Sequence, residues 1–114
     1  EVKEKDQDTY RKYRILAYTT GQYRAYQNLV NQKIYDMALD SLISTIGRCE
    51  EYSSDAKELG CEGEISDIQA KAEEALEAFK IDTEKALEVY DMKDRTAYSK
   101  EIYQILDDAG LSEE

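Results

Sequence analysis

The sequence contains no histidine, no proline and no tryptophan, and its 114 residues include only two cysteines, one phenylalanine and five glycines. Each shortage closes off a class of function. Without histidine the commonest general base and the commonest transition-metal ligand are missing, so Cys49 and Cys61 have no companions for a zinc site. Di-iron helical bundles need Glu-x-x-His pairs and fail on the same count. The glycines stand singly, and none opens a phosphate-binding loop. No Asp/Asn ligand series with a turn glycine exists for calcium, so the pairs Glu50-Glu51, Glu73-Glu74 and Asp107-Asp108 read as solvated faces. No enzyme activity, cofactor or metal is expected.

The lack of proline and the scarcity of glycine also leave little to interrupt a helix, and Ala, Leu, Glu, Lys and Gln fill the long periodic stretches. An all-α fold in a single domain follows, because about 100 to 150 residues suffice for one core. No apolar run approaches the roughly 20 residues that cross a bilayer. The chain therefore reads as soluble, either cytoplasmic or the soluble part of an anchored or exported protein. It opens on Glu1 rather than Met, which reads as part of a larger chain.

A formal net charge of −11 disfavours nucleic acid, whose phosphates would be repelled. The charge is uneven. Residues 1–59 carry 9 basic and 10 acidic side chains, whereas residues 60–114 carry 6 basic and 16 acidic.

Residues 1–8 have no apolar face and read as a frayed lead-in or the stub of a longer helix. Two helical hairpins follow, about 9–59 and 62–109. In the first, T-T-G-Q at 19–22 is open to two readings. Thr19 and Gln22 have the spacing of a capping box that would start a new helix near Thr20. Alternatively the helix continues, with Gly21 inside at a cost of about 1 kcal/mol, since Leu16, Thr19, Tyr23, Tyr26 and Val30 keep one face. The helix should end near 31–33. The next runs to Leu59 with Ala38, Leu39, Leu42, Ile43, Ile46, Cys49, Tyr52 and Ala56 on one stripe.

Leu59-Gly60-Cys61 is a stop signal, with Cys61 turned back onto Ala56. A third helix of about 28 residues is expected over 62–90, then a turn at 92–96 and a last helix closed by Gly110. There Leu111 returns to Leu106, leaving 112–114 as a solvated tail. On a regular helix Cys49 lies about 18 Å of rise from position 61, which predicts two free thiols.

An offset of 63 residues aligns K-I-Y-D-M-A-L-D-S-L-I (33–43) with T-A-Y-S-K-E-I-Y-Q-I-L (96–106), pairing Tyr35 with Tyr98, Leu39 with Ile102, Leu42 with Ile105 and Ile43 with Leu106. An internal duplication of the hairpin is one reading. Around the first turn, Y-R-A-Y-Q-N-L-V-N-Q-K-I-Y-D-M-A-L-D-S-L resembles a tetratricopeptide unit over residues 22–49, through Leu29, Tyr35, Ala38 and Leu42. That resemblance implies helix pairs that bind peptides on a concave face. A four-helix antiparallel bundle fits the same periodicity.

Tyrosine is the abundant aromatic, with ten in all, and Tyr10, Tyr13, Tyr18, Tyr23 and Tyr26 fall within seventeen residues. It suits either the wet rim of a small core or a semi-exposed binding surface. In the second case Tyr23, Tyr26 and Val30 share a face, with Arg24 and Lys33 nearby. These five are the candidate partner-binding residues, and the basic pair favours an acidic protein or peptide. The expected function is noncatalytic protein–protein interaction. The alternative is a structural element that forms a homo-oligomer, Arg11, Lys12, Arg14 and Arg24 of one copy meeting the acidic half of another.

Overall fold

The computed structural model describes the backbone of residues 2–111 and the side chains of residues 7–111. It is all-α, with five α-helices and no strand among the described residues: α1 Val2–Asn31, α2 Tyr35–Leu59, α3 Glu62–Leu76, α4 Thr83–Tyr90 and α5 Arg95–Asp108. Helix geometry begins at Val2, so residues 2–8 join the tyrosine-rich stretch without a break. The tail expected at 112–114 lies outside the described residues.

Helix α2 is the hub. It packs against each of the other four helices, which is why its stripe of Ala38, Leu39, Leu42, Ile43, Ile46, Cys49 and Ala56 is wholly buried. Contacts of α1 residues 11 and 18 with α2 residues 52–58 join the antiparallel α1–α2 pair. The rings of Tyr18 and Tyr52 meet edge to face at 6.3 Å, and Arg11 reaches Asp55 and Glu58 at 3.8 Å. A main core joins residues of α2, α4 and α5 with Tyr26 of α1, Ala72 and Leu76 of α3, and Phe79, while Ile15, Cys49, Ala56, Cys61 and Ile65 form a smaller one where α1, α2 and α3 converge.

The T-T-G-Q segment is continuous helix. Thr19 is buried, and its hydroxyl donates to the Ile15 carbonyl at 3.0 Å and the Leu16 carbonyl at 3.3 Å, so it bonds back into the helix and caps nothing. The long helix expected over 62–90 does not form as one piece. It ends at Leu76, tightens into a 3-10 turn at Glu77–Phe79, and restarts at Thr83. Asp82 caps the restart by accepting from the Lys85 amide at 2.8 Å. The second half therefore holds three helices where the periodicity suggested two.

Four chain reversals share one device. A residue with positive φ stops the helix, and the next, apolar residue donates its amide to a carbonyl five positions back. The reversing residues are Lys33, Gly60, Lys80 and Gly110. The bonds run from Ile34 to Leu29 at 2.9 Å, Cys61 to Ala56 at 2.8 Å, Ile81 to Leu76 at 3.3 Å and Leu111 to Leu106 at 2.8 Å. At Lys33 and Lys80 a side chain tolerates a left-handed conformation that costs roughly 1–2 kcal/mol outside glycine.

Two helix-interior glycines differ in what surrounds them. A Cβ on Gly47 would collide with the Tyr90 ring, whereas one on Gly21 would meet nothing within 4 Å. Gly47→Ala is therefore expected to destabilise, since displacing the ring costs about 1–3 kcal/mol against a helix-propensity gain of about 1. Gly21→Ala should stabilise by about 1 kcal/mol. Urea unfolding of the two variants checks the opposite signs.

Candidate functional site

Positions 23, 26, 27 and 30 recur at helical spacing and turn one face of α1 toward α3. Between the two helices lies an open groove of about 590 Å³ lined by Tyr23, Tyr26, Gln27, Asn28, Val30 and Asn31 from α1 and by Lys71, Glu74 and Ala75 from α3. The Tyr23 and Tyr26 rings lie 5.8 Å apart. Tyr26 in turn meets Phe79 edge-on at 6.4 Å, and at 9% exposure it belongs to the main core. Burial, and then the neighbouring Tyr23, hold its hydroxyl above the ordinary tyrosine pKa. Tyr26 is the floor that supports Tyr23.

Three of the five nominated residues, Tyr23, Tyr26 and Val30, thus come together. Arg24 and Lys33 are exposed and do not line the groove. The wall instead carries one cation, Lys71, and one anion, Glu74, so its formal charge is balanced. Sequence reasoning passed over the amides Gln27, Asn28 and Asn31. Their signal was an amide set on the tyrosine face. It also placed Glu74 among solvated charges, because nothing local in α3 shows that α1 lies across from it.

A second cleft, of about 160 Å³, lies between α2 and α5 and includes the exposed Met37 and Tyr103. At its edge the Tyr98 hydroxyl donates to Asp40, and the Arg95 guanidinium sits 5.2 Å from the centre of the Tyr98 ring. On another face Arg48 stacks over Tyr18 at 4.8 Å and pairs with Glu51 at 3.3 Å. Glu51 also accepts from the Tyr90 hydroxyl. These contacts hold the helices together.

Both cysteines are free and buried. Burial, with Glu73 adding repulsion, pushes the Cys49 thiol up to about 12. Cys61 is likewise raised, by burial first and then by Glu64. A thiol held protonated is a poor nucleophile and a poor metal ligand. Among the described residues no group of three or more His, Cys, Asp or Glu side chains is placed to hold a metal ion. Nor is any described helix long and apolar enough to cross a membrane.

No family model, curated protein sequence or solved structure matches the chain. Functional reading rests on the groove itself.

Proposed function

We propose that this chain is a noncatalytic interaction module that holds a protein or peptide segment in the groove between α1 and α3. The observation that carries this reading is the combination of an aromatic and aliphatic floor, from Tyr23 and Val30, with the amides of Gln27, Asn28 and Asn31 beside it. An amide side chain offers both a donor and an acceptor, which matches a peptide backbone whatever its sequence. A half-exposed tyrosine supplies contact area at low entropic cost and is a frequent centre of binding energy. Lys71 on the wall favours an acidic segment, while Glu74 restricts where its charges can fall. The tetratricopeptide resemblance over 22–49 supports the same use of a helical hairpin, as part of a helical-repeat scaffold.

Titration of the chain against an arrayed peptide library tests the proposal, with Tyr23→Ala and Asn31→Ala as the informative variants. Asn31 is exposed and Tyr23 is only partly buried at the edge of the core, so the fold should survive. Each is expected to weaken binding at least about tenfold, the effect of losing a central contact. Wild-type binding by both variants, or no peptide bound above background, would sink the reading. Tyr26→Ala is less informative because it removes a core ring.

A further inference from the structure

The outer face of α1 is left uncovered by the fold. Tyr13 and Tyr10 are 69% and 64% exposed, the two most exposed large hydrophobic residues described. Ala17, Gly21 and Arg24 continue the same exposed stripe, which spans about 21 Å of helix. Gly21 is a weaker helix former than alanine, and nothing inside the protomer requires it, since a Cβ there would meet no atom within 4 Å.

The stripe is complementary to itself. Tyr13 and Gly21 lie four residues on either side of Ala17, and Tyr10 and Arg24 lie seven residues on either side. When two copies of α1 cross antiparallel with a two-fold axis at Ala17, both pairings are satisfied together. The bulk of Tyr13 comes level with Gly21 of the second copy, where no Cβ obstructs the ring. Tyr10 comes level with Arg24 of the second copy, whose guanidinium can stack on it. At the axis alanine meets alanine, so the helices can approach to about 8 Å.

We infer that this face of α1 binds a second copy of the same chain, giving a symmetric antiparallel dimer centred on Ala17. One axis serves both copies, so the interface is closed and stops at two. The four tyrosines together offer roughly 400–650 Å² to be buried. That area lies below the roughly 1,200 Å² at which stable specific interfaces begin, which sets a weak, reversible dimer. None of Tyr10, Tyr13, Ala17, Gly21 and Arg24 lines the α1–α3 groove, so the dimer and the peptide site stand or fall separately.

Electrostatics distinguishes this geometry from the basic-to-acidic, head-to-tail stacking suggested by the charge asymmetry. Two copies of net charge −11 repel each other, and the facing helices both present arginines. Added salt screens that repulsion and should strengthen the symmetric dimer, whereas it would weaken a head-to-tail contact.

The experiment is sedimentation velocity over a concentration series at low and high salt, with Tyr13→Ser and Gly21→Gln alongside wild type. Both substitutions lie on an exposed helical face, and Gly21→Gln should raise the melting temperature through helix propensity while weakening dimerisation at least about tenfold. Diamide oxidation of an Ala17→Cys variant should give a disulfide-linked dimer, because the two thiols meet at the axis. Arg24→Cys should give none, its two copies lying about 21 Å apart along the helices. A strict monomer at hundreds of micromolar, dimerisation by Gly21→Gln equal to wild type, salt-weakened association, or equal cross-linking at 17 and 24 would each overturn the inference.

Discussion

Phe79→Ala is expected to lower the unfolding free energy by about 3–5 kcal/mol, the usual range for emptying a buried aromatic site. A domain of this size has only about 5–15 kcal/mol in total, so the variant should be near the limit of folding at 37 °C. Phe79 is 2% exposed and is the chain's one phenylalanine. It closes the 3-10 turn where α3 ends and belongs to the main core, where Tyr26 meets it from α1. Its removal should therefore loosen the α3 terminus and the groove floor together. Urea unfolding gives the stability loss, and hydrogen exchange should show α1 residues near Tyr26 losing protection with α3. A loss below about 1 kcal/mol would mean that the cavity collapses and the site is not an anchor.

Most of this fold could be read from the sequence, because periodicity and glycine punctuation act locally. The α2 stripe, the turn at Gly60 and the closure at Gly110 all involve residues whose chemistry announces them. The break at Lys80 was hidden for a physical reason. It uses the same left-handed reversal, but with lysine in place of glycine, and Ile81 in place of a visible stop. The surviving clue was Asp82, a residue that prefers caps to helix interiors. In a segment with an otherwise unbroken 3.6-residue pattern, one such residue is outweighed. At Thr19 the opposite error threatened, since a hydroxyl that can cap can equally bond back to the preceding turn.

The candidate groove was half legible. Spacing within α1 placed Tyr23, Tyr26 and Val30 on a common face, and no more than that could follow from one helix. Which wall faces them depends on how α3 packs against α1 and α2, a tertiary fact without a local signature. Hence Lys71, Glu74 and Ala75 could not be nominated, and Arg24, a sequence neighbour of Tyr23, was nominated although it points away from the lining. The depth of Tyr26 was likewise undetermined, because amphipathic spacing gives a direction and not a distance from solvent.

Alkaline pH should destabilise the protein from about pH 9 upward, and the groups responsible can be named. The fully buried Cys49 thiol is neutral in the fold and ionises only at about 12, against 9.0 when unfolded. Its folded value is raised, so its contribution is complete below pH 9 and is lost as pH rises toward 12. Linkage sets the loss at about 1.4 kcal/mol per pH unit in that window, and about 4 kcal/mol across it. Cys61 acts in the same direction. Above pH 10 tyrosines join: Tyr26, raised by burial and then by Tyr23, and two paired with carboxylates, Tyr98 raised by burial and the bond to Asp40 and Tyr90 by burial and the bond to Glu51. Their ionisation would set a phenolate against a carboxylate in each pair. Urea unfolding at pH 7, 9, 10 and 11 should show a stability plateau, then a decline that steepens above pH 10. Cys49→Ala should flatten the segment between pH 9 and 10, and Tyr98→Phe the segment above 10. Cys49→Ala running parallel to wild type throughout would show that the buried thiol is not what the fold keeps neutral.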